Sequence, residues 1–358
     1  MYREHTVGVV VPAYNEAGLI GQVIETMPTF VDRVYVVDDC STDGTWHEIT
    51  RYVQRVTDGG ALPAAQSTRP TGGNQLEQSD EASPHAVTAM PDERKEGPTI
   101  VPIRHEVNRG VGGAIKTGYE RALEDRLDVT AVMAGDAQMD PAQLDRLLDP
   151  IIDGRVAYAK GNRLAGADHH DSMSTWRLFG NSTLTFLTKV ASGYWEMMDP
   201  QNGYTAISRE ALEAVDLEGL YEEYGFANDL LVELNTAGYR IADISMPAVY
   251  GDEQSHIEYR TFVPRLSKLL LRGFCRRLSR RYVVREFHPL VLLYGLGVAG
   301  WLVTTVALAW VGRIREGNSS TAVWAMATGL YAFLGAVCLV FAMTFDREEN
   351  ENTVVVES

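Results

Sequence analysis

Two carboxylates end an apolar run near the start of the chain. Asp38 and Asp39 follow that run directly and precede a turn of Ser, Thr and Asp residues that leads into a helical pattern. A carboxylate at the end of a buried strand can accept hydrogen bonds from a base N–H or a ribose hydroxyl, as acidic residues do in other nucleotide-binding sheets. The pair therefore predicts a nucleotide site, while the turn alone also fits a helix cap by Ser41 or Asp43.

A second polar cluster follows another apolar run, residues 129–133. Asp136, Gln138 and Asp140 are hard oxygen donors. Mg²⁺ or Mn²⁺ usually takes one or two such carboxylates together with phosphate oxygens and water. A metal site that includes Asp136 is therefore predicted, where the metal would neutralise charge on a diphosphate leaving group. Asp140 fits equally well as a helix N-cap before Pro141.

A glycine-rich turn, Asn108 to Ala114, opens the helix that carries Lys116. Backbone amides and the positive end of a helix form an anion site, so the turn and Lys116 are expected to face the nucleotide. The alternative is structural, because glycines also permit close packing of a strand against a helix.

These groups need a scaffold that brings them together. Short apolar runs, which suit strands buried on both faces, alternate with helical stretches, and this pattern predicts an α/β, doubly wound sheet. Ligands bind beyond the carboxyl ends of such strands, where Tyr14, Glu16, Asp38 and Asp136 all fall. Residues 57–98 interrupt the alternation with Pro, Gly, Ser, Thr and Gln, and they predict a disordered insertion or, alternatively, a docking segment. The catalytic domain is expected to span residues 1–250.

The C-terminal part has a different composition. Two uncharged, mostly apolar runs, Pro289–Gly312 and Thr321–Phe345, each exceed the ~20 residues needed to cross a bilayer as a helix. They predict a transmembrane hairpin over residues 289–345 and an acidic tail over 346–358. Arginines before the first span predict a cytoplasmic catalytic domain and C-terminus in a two-pass cell-membrane protein. Two buried core helices of a soluble protein are the alternative.

Charge separates sharply along the chain. The formal net charge is -16 and the pI is near 5.0, which argues against a nucleic-acid partner. Five lysines beside 27 arginines suit a salty cytoplasm, and three scattered cysteines predict neither a disulfide framework nor a thiolate zinc site. Residues 258–285 nevertheless contain nine basic residues and one acidic residue. Residues 251–288 therefore predict an amphipathic helix that binds membrane lipids, or alternatively a plain orientation signal.

Taken together, the segments resemble family 2 glycosyltransferases with a GT-A fold, and most closely the dolichyl-phosphate mannose and glucose synthases. The resemblance covers roughly residues 7–250 apart from the insertion. Five motifs in the family order carry it: Val11-Pro12-Ala13-Tyr14-Asn15-Glu16, Val37 to Thr45, Asn108 to Ala114, Asp136-Ala137-Gln138 and Gly161-Asn162-Arg163.

The resemblance implies roles by position. Nucleotide-binding residues would be Pro12, Tyr14, Glu16, Val36 and Asp38. Asp39, from its place at the strand end, and Lys116, from its place on the helix after the glycine-rich turn, complete the predicted nucleotide-binding set. Asp136 and Gln138 would ligate the metal, Arg163 and Arg177 match the family's phosphate-contacting arginines, and Asp229 lies where an acidic residue is usual. Two departures stand out: Ala134 replaces the first acidic residue of the Asp-Ala-Asp motif, and residues 250–256 lack the family's Arg and Gly-Ser-Lys run.

The resemblance also implies the reaction. An inverting transferase would move a hexose from a UDP- or GDP-sugar to dolichyl or another polyprenyl phosphate, which in archaea would serve protein N-glycosylation. A phosphate oxygen is already ionised at neutral pH, so its attack needs no strong general base. The alternatives are transfer to another lipid or glycan, and a membrane protein that binds nucleotide-sugar without turnover.

Overall fold

The structure is a computed structural model, and it describes residues 1–57, 97–164, 175–247, 259–313 and 320–357. Its strands are β1 Val7–Ala13, β2 Arg33–Asp38, β3 Thr99–Arg104, β4 Val129–Val132, β5 Tyr158–Asn162, β6 Thr205–Ser208, β7 Ile241–Ser245 and β8 Val354–Glu357. They form one sheet in the order β3-β2-β1-β4-β6-β5-β7-β8.

Ten α-helices accompany the sheet within the described ranges. They are α1 Ile20–Glu25, α2 Thr45–Thr57, α3 Val111–Glu124, α4 Leu144–Ile152, α5 Thr175–Ser192, α6 Arg209–Ala214, α7 Phe226–Ala237, α8 Tyr259–Ser279, α9 Leu290–Arg313 and α10 Ser320–Glu349. A short 3-10 helix, Pro141–Gln143, precedes α4, and a π-helical turn, Arg280–Arg285, follows α8.

Two apolar clusters cover the two faces of the sheet. One packs α1, α2 and α4 against it, and the other packs α3, α6 and α7 against the opposite face. Strands β1, β2 and β4 are buried almost throughout, as their unbroken apolar runs predict. The predicted doubly wound α/β sheet is confirmed, and it is a mixed sheet typical of the GT-A fold.

Strand direction fixes where the polar loops emerge. Strands β1 to β4 run parallel, β6 is antiparallel to both of its neighbours, and β5, β7 and β8 again run in the direction of β1. Every strand except β6 therefore ends at the same side of the sheet, called here the carboxyl end. The loops after β1, β2, β4 and β5 all open there.

The C-terminal residues join this sheet. The sequence predicts a separate acidic tail over 346–358, but β8 pairs in parallel with β7 from Ile241↔Val354 to Ile244↔Glu357. The strand is short and lies next to acidic residues, so its apolar pattern is weak. The exposed side of β7 supplies the hydrogen-bonding partner that the local sequence does not reveal.

The two apolar runs form long helices that pack against each other. The segments Leu290–Trp310 and Val323–Glu349 are long and apolar enough to cross a membrane, and only 22% and 17% of their most apolar windows are buried. Gly300 and Gly335 let the backbones of α9 and α10 approach closely, since a Cβ on Gly300 would lie 3.0 Å from the Cα of Gly335. This exposure does not support the alternative of two buried core helices.

Most of the predicted insertion lies outside the described residues. Of residues 57–98, the structure describes Thr57, where α2 ends, and Gly97 and Pro98, which precede β3. The part of the predicted juxtamembrane segment before Tyr259 also lies outside them.

Candidate functional site

Backbone hydrogen bonds hold three loops together at the carboxyl end. The Asp39 amide donates to the Ala13 carbonyl at 2.9 Å, and the Gly135 amide donates to the Pro12 carbonyl at 3.1 Å. The loops after β1, β2 and β4 therefore meet, as the topology predicts. Asp38 and Asp136, which lie in these loops, are brought to one region.

The loop after β1 is fixed by side chains of the loop after β2. The Asn15 amide donates to Ser41 Oγ at 3.0 Å, and the Glu16 amide donates to Thr45 Oγ1 at 2.8 Å. This arrangement leaves Tyr14 47% exposed at the mouth of the site. Pro12, Tyr14 and Glu16 thus lie where the nucleotide was predicted, whereas the Val36 side chain packs into the apolar core and lies away from the loops.

Asp38 is the most unusual carboxylate of the site. It is fully buried, and its Oδ1 accepts a hydrogen bond from the Ser41 amide at 3.2 Å. Its Oδ2 has no hydrogen-bond partner within the described residues, because Arg104 Nε, although 3.2 Å away, is not aligned to donate. A buried carboxylate oxygen without a donor is costly, and an incoming N–H or hydroxyl group would satisfy it.

Asp39 has a different role from its neighbour. Its Oδ1 accepts from the Arg109 amide at 2.9 Å and lies 2.7 Å from His105 Nδ1, while its Oδ2 accepts from the Gly110 amide at 2.8 Å. Both oxygens are therefore used to hold the glycine-rich turn. The geometry does not support the predicted direct contact of Asp39 with a nucleotide.

Lys116 is likewise held by the protein. Its buried ammonium donates to the carbonyls of Glu218 and Leu220 and to Glu222 Oε1, at 2.9, 3.2 and 3.0 Å. These three acceptors account for its three N–H donors. The predicted nucleotide contact of Lys116 is therefore not supported.

The glycine-rich turn packs against the same segment. The Gly113 amide donates to the Glu222 carbonyl at 3.0 Å, and a Cβ on Gly112 would lie 2.7 Å from that oxygen. The structural alternative for these glycines, close packing, is thus observed. The amides of Arg109, Gly110 and Gly113 already have protein acceptors and are therefore not available to an anion.

Asp136 is presented by a sharp turn after β4. Ala137 has a left-handed backbone with φ 58°, and the Gln138 amide donates to Asp136 Oδ1 at 3.0 Å. Within the described residues, Asp136 Oδ2 has no hydrogen-bond partner. In that part of the chain no group of three or more His, Cys, Asp or Glu residues could hold a metal. Asp136 Oδ2 is therefore the carboxylate oxygen left open at this turn, and one such ligand would suit a divalent cation whose shell is completed by phosphate oxygens and water, as is usual for Mg²⁺.

Asp140 is a helix cap. Its Oδ1 accepts a hydrogen bond from the Ala142 amide at 2.9 Å, and Pro141 occupies the first position of the 3-10 helix. The capping alternative for this residue is confirmed.

Arg163 follows β5 and pairs with Asp199. Its Nε and Nη2 donate to the Asp199 carboxylate at 2.9 and 3.3 Å, and its backbone amide donates there too, at 3.2 Å. Burial opposes ionisation of Asp199, but the hydrogen bonds from Arg163 outweigh burial and hold the pKa of that carboxyl below its usual range. The guanidinium remains 42% exposed at the carboxyl end.

The loop that carries Asp199 is anchored by a buried ion pair. Lys160 Nζ donates to Asp243 Oδ1 at 2.9 Å and to the Met198 carbonyl at 2.6 Å. Sequence reasoning missed Asp199, Lys160 and Asp243 as supports of the site. A lysine and an aspartate within otherwise apolar strands were the available signal, because buried charges require partners.

Two further predicted residues lie in helices. Asp229, in the first turn of α7, is buried and accepts hydrogen bonds from Arg276 at 2.6 Å and from the Tyr221 amide at 3.0 Å. It is thus paired with α8 and has no open oxygen for a substrate, so its predicted catalytic role is not supported. Arg177 lies in α5, and its side chain is outside the described part of the structure.

The basic segment faces two ways. Five of its arginines contact protein groups: Arg276, Arg277, Arg280, Arg281 and Arg285. Arg276 and Arg277 are the most buried of them, whereas Arg280 and Arg285 also remain exposed. Lys268 and Arg272 are exposed on the outer face of α8, together with Leu271 and Val263. The membrane-surface role of the segment stays a prediction, and it concerns these exposed residues.

Comparisons with known proteins agree with the fold. The profile described as Glycosyl transferase family 2 matches residues 8–63 and 79–216. A UDP-N-acetylglucosamine–dolichyl-phosphate N-acetylglucosaminyltransferase of Methanococcus voltae is 24% identical over 68% of this chain and 85% of its own length. An undecaprenyl-phosphate mannosyltransferase of Micrococcus luteus is 27% identical over 48% of this chain and 70% of its own length.

Among solved structures, a glucosyl-3-phosphoglycerate synthase from Mycobacterium tuberculosis is similar, with Mn²⁺, UDP-glucose and phosphoglyceric acid bound. The two chains are 17% identical, with a TM-score of 0.47, and the match covers 77% of this chain and 80% of that one. Because the family profile covers more than half of the sequence, including the loops that carry Asp38 and Asp136, the chain belongs to glycosyl transferase family 2.

Proposed function

We propose that this glycosyltransferase moves a hexose from a UDP- or GDP-sugar to dolichyl or another polyprenyl phosphate, with inversion at the anomeric carbon. The observation that carries the proposal is the exposed apolar hairpin of α9 and α10 joined to the catalytic sheet. A transferase acting on soluble acceptors has no need of it. The names of the Methanococcus and Micrococcus relatives support a polyprenyl phosphate acceptor.

The donor would bind in the loops after β1, β2 and β4. Asp38 Oδ2 is buried without a donor, so it would accept a hydrogen bond from a base N–H or a ribose hydroxyl. Tyr14 offers an exposed ring beside it for the base or ribose. Uracil and guanine both present such an N–H, so these contacts suit either nucleotide.

Asp136 and Gln138 would hold Mg²⁺ or Mn²⁺ against the diphosphate. The bound ion would offset negative charge on the departing nucleoside diphosphate. Since Ala134 replaces an acidic residue of the family motif, Asp136 is the carboxylate on which this charge balance depends. Its turn is held to Pro12 through Gly135, which keeps it beside the nucleotide loops.

The acceptor phosphate would approach Arg163. A planar guanidinium matches the oxygens of a phosphate, and Asp199 orients it while leaving part of it exposed. An ionised phosphate oxygen can attack the anomeric carbon without losing a proton, so no side chain at the site needs to act as a strong base. Arg177 remains a predicted second phosphate contact.

The membrane arrangement is part of the proposal. Lys268, Arg272 and Leu271 on the outer face of α8 would lie on anionic lipid headgroups, next to the hairpin. Arginines before the first span favour a cytoplasmic catalytic domain, where nucleotide-sugars are available. Because β8 belongs to the catalytic sheet, the C-terminus would lie on the same side. A cell-membrane location and a role in protein N-glycosylation follow as expectations.

Membranes that contain the full chain, incubated with dolichyl phosphate and a panel of radiolabelled UDP- and GDP-hexoses, test the reaction. One donor should give a lipid-linked sugar and release its nucleoside diphosphate. Transfer only to headgroup or glycan acceptors would replace the lipid phosphate with another substrate. Nucleotide binding without release of a nucleoside diphosphate would reduce the chain to a binding protein.

A reporter fused after Ser358 tests the topology. It should be cytoplasmic, and one inserted between Arg313 and Ser320 should be external. The reversed pattern would contradict the proposed orientation.

A further inference from the structure

A buried polar cluster joins the C-terminal segment to the catalytic domain. We call it the polar clamp, and its members are Asn235, Arg277, Tyr282, Asp346 and Asn350. Arg277 and Asp346 are both fully buried and form a bidentate pair, with Nη1–Oδ1 at 2.8 Å and Nη2–Oδ2 at 2.7 Å. The pair links α8 to the end of α10.

The other members complete the network. Tyr282 Oη donates to Asp346 Oδ1, and Asn350 Nδ2 donates to Tyr282 Oη, both at 2.9 Å. Asn235 Nδ2, on α7, donates to Asn350 Oδ1 at 2.9 Å. Arg277 also donates to the Ala191 and Val190 carbonyls at the end of α5, at 3.0 Å each. One cluster therefore ties four helices together.

The clamp acts together with β8. Directly after Asn350 the chain enters the sheet beside β7, and the Ile241 amide donates to the Thr353 carbonyl at 2.9 Å. The end of the hairpin is thus attached to the catalytic domain twice, once by buried charge and once by a strand.

The position of the clamp relates the site to the lipid surface. Helix α7 begins at the carboxyl end of the sheet and its last residues lead into β7, so Asn235 lies at the end opposite the site. Helix α8 runs alongside it, with Arg276 bound to Asp229 and Arg281 bound to Asn235. Helix α8 therefore runs parallel to α7, from the end of the sheet that carries the site to the opposite end. Its outer face, which is proposed to lie on lipid, is held in that direction.

A buried ion pair of this kind is weak evidence for stability alone. The cost of removing two charges from water commonly offsets their attraction, and well-packed apolar residues often do as well. What a fully satisfied buried pair does supply is a single geometry, because every alternative packing leaves a charge without a partner.

We infer that the polar clamp positions the candidate site relative to the membrane, so that a lipid-borne phosphate reaches Arg163. The inference rests on the proposed function. Arg277 and Asp346 touch neither substrate, and they act by fixing the angle between α8 and the hairpin. Loss of the clamp would leave the nucleotide site intact but let the catalytic domain tilt away from the lipid surface.

The test compares a membrane-bound acceptor with a soluble one. Asp346→Asn keeps the shape of the side chain and removes its charge. A second variant ends the chain after Asn350, which removes residues 351–358 and with them the β8 attachment but keeps the five clamp residues. Arg121→Gln serves as the control, since Arg121 forms an exposed ion pair with Glu124 on α3, outside the basic segment. Each full-length protein or variant is assayed with the donor that the wild type uses.

Three quantities are measured for each protein. They are the Kd for the nucleoside diphosphate of that donor, kcat/KM for dolichyl phosphate in vesicles of phosphatidylcholine and phosphatidylglycerol, and kcat/KM for citronellyl phosphate in detergent. For Asp346→Asn and the truncated chain, each of which loses one of the two attachments, we expect kcat/KM for the vesicle-borne acceptor to fall by about tenfold or more, while the other two quantities stay within about twofold. The control should match the wild type in all three.

The outcomes separate the inference from the proposed function. If the wild type transfers sugar to neither acceptor, the proposed function is wrong. The inference is overturned if, with an active wild type, Asp346→Asn loses activity on both acceptors equally or on neither. If Asp346→Asn loses nucleotide binding, the clamp is a part of the fold only, and the inference is overturned as well.

Discussion

The nucleotide loops and the α7–α8 region differ in whether their charged side chains are paired with other protein groups. In the loops after β2 and β4, Asp38 and Asp136 each keep one oxygen without a hydrogen-bond partner among the described residues. Along α7 and α8, Asp229 and Arg277 have all their polar atoms bound to other protein groups. Charged residues occur in both regions, but the carboxylates of α7 are paired with Arg276 of α8, whereas Asp38 and Asp136 keep an oxygen for a ligand.

Backbone geometry shows the same difference. Four non-glycine residues of the loops at the carboxyl end have left-handed backbones, namely Asn15, Cys40, Ala137 and Asp199. Within the described parts of α7 and α8, non-glycine residues have no positive φ. Backbone strain and unsatisfied polar atoms both lower stability, and they persist where a ligand-binding geometry requires them. An unmet buried atom alone does not identify the site, since Tyr119 Oη and Arg276 Nε also lack hydrogen-bond partners in the described part of the chain; at Asp38 it coincides with left-handed loops at the carboxyl end.

Among the substitutions that test this difference, that of Asp136 should have the largest effect on activity. Asp136→Asn removes the carboxylate on which charge balance at the diphosphate depends, a loss of several kcal/mol in the transition state. We expect kcat to fall about 10³-fold, with little change in the free energy of unfolding. Steady-state transfer assays and denaturant unfolding check both expectations.

Asp140→Ala is the matched control, because it removes a nearby carboxylate that only caps a helix. It should cost about 1 kcal/mol of stability and leave kcat within a few-fold of the wild type. Equal activity losses in the two variants would remove the special role of Asp136.

Asp39→Asn should have the opposite signature. Asp39 accepts hydrogen bonds from the amides of Arg109 and Gly110 and contacts His105, and an Asn side chain would direct an NH₂ group at one of these donors. We expect a loss of about 2–3 kcal/mol in the free energy of unfolding. The Kd for nucleoside diphosphate, measured by calorimetry at a temperature where the variant is folded, should stay unchanged. A weaker Kd without loss of stability would restore the direct contact that the sequence predicts.

The sequence predicted the scaffold of the site because the relevant signals are local. Apolar runs and the polar residues that follow them lie within a few positions of each other, so the positions of Asp38 and Asp136 could be read directly. The two interpretations of Asp140, as a ligand or a cap, also depended on its immediate neighbours. The structure had only to choose between them.

The roles of Asp39, Lys116 and Arg277 could not be read in this way. Their partners are distant in sequence: Asp39 binds residues 66 to 71 positions away, Lys116 binds residues 102 to 106 positions away, and Arg277 binds Asp346 at 69. A charged side chain next to a motif looks the same whether a ligand or a distant protein group will pair with it. Only the fold shows which partner is present.

Asp38→Asn sharpens the comparison within one loop. The Asn oxygen can still accept from the Ser41 amide, but an NH₂ group replaces Oδ2, which has no hydrogen-bond donor among the described residues, and cannot accept from a base or a ribose. Loss of a hydrogen bond to a charged group should weaken the Kd for nucleoside diphosphate by about tenfold. Stability should change little, because removal of a buried charge offsets the lost attraction to Arg104, 3.2 Å away. A clear loss of stability with an unchanged Kd would show that Asp38 is structural, like Asp39.

Lys116→Met should produce the smallest effect and tests the region where sequence and structure disagree. Met has a similar length and suits a buried site, but the Glu218 and Leu220 carbonyls and the Glu222 carboxylate each lose a donor. Since Arg109 still binds Glu222 at 2.8 Å, that carboxylate keeps a cationic partner. We expect a loss of about 1–2 kcal/mol in the free energy of unfolding.

Lys268→Met, on the exposed face of α8, is the control and should leave stability unchanged. The Kd for nucleoside diphosphate should match the wild type in both variants, because the Lys116 ammonium has no N–H left for a phosphate. A tenfold weaker Kd in Lys116→Met alone would mean that the ammonium leaves its three acceptors when the nucleotide binds, and that the sequence identified its partner correctly.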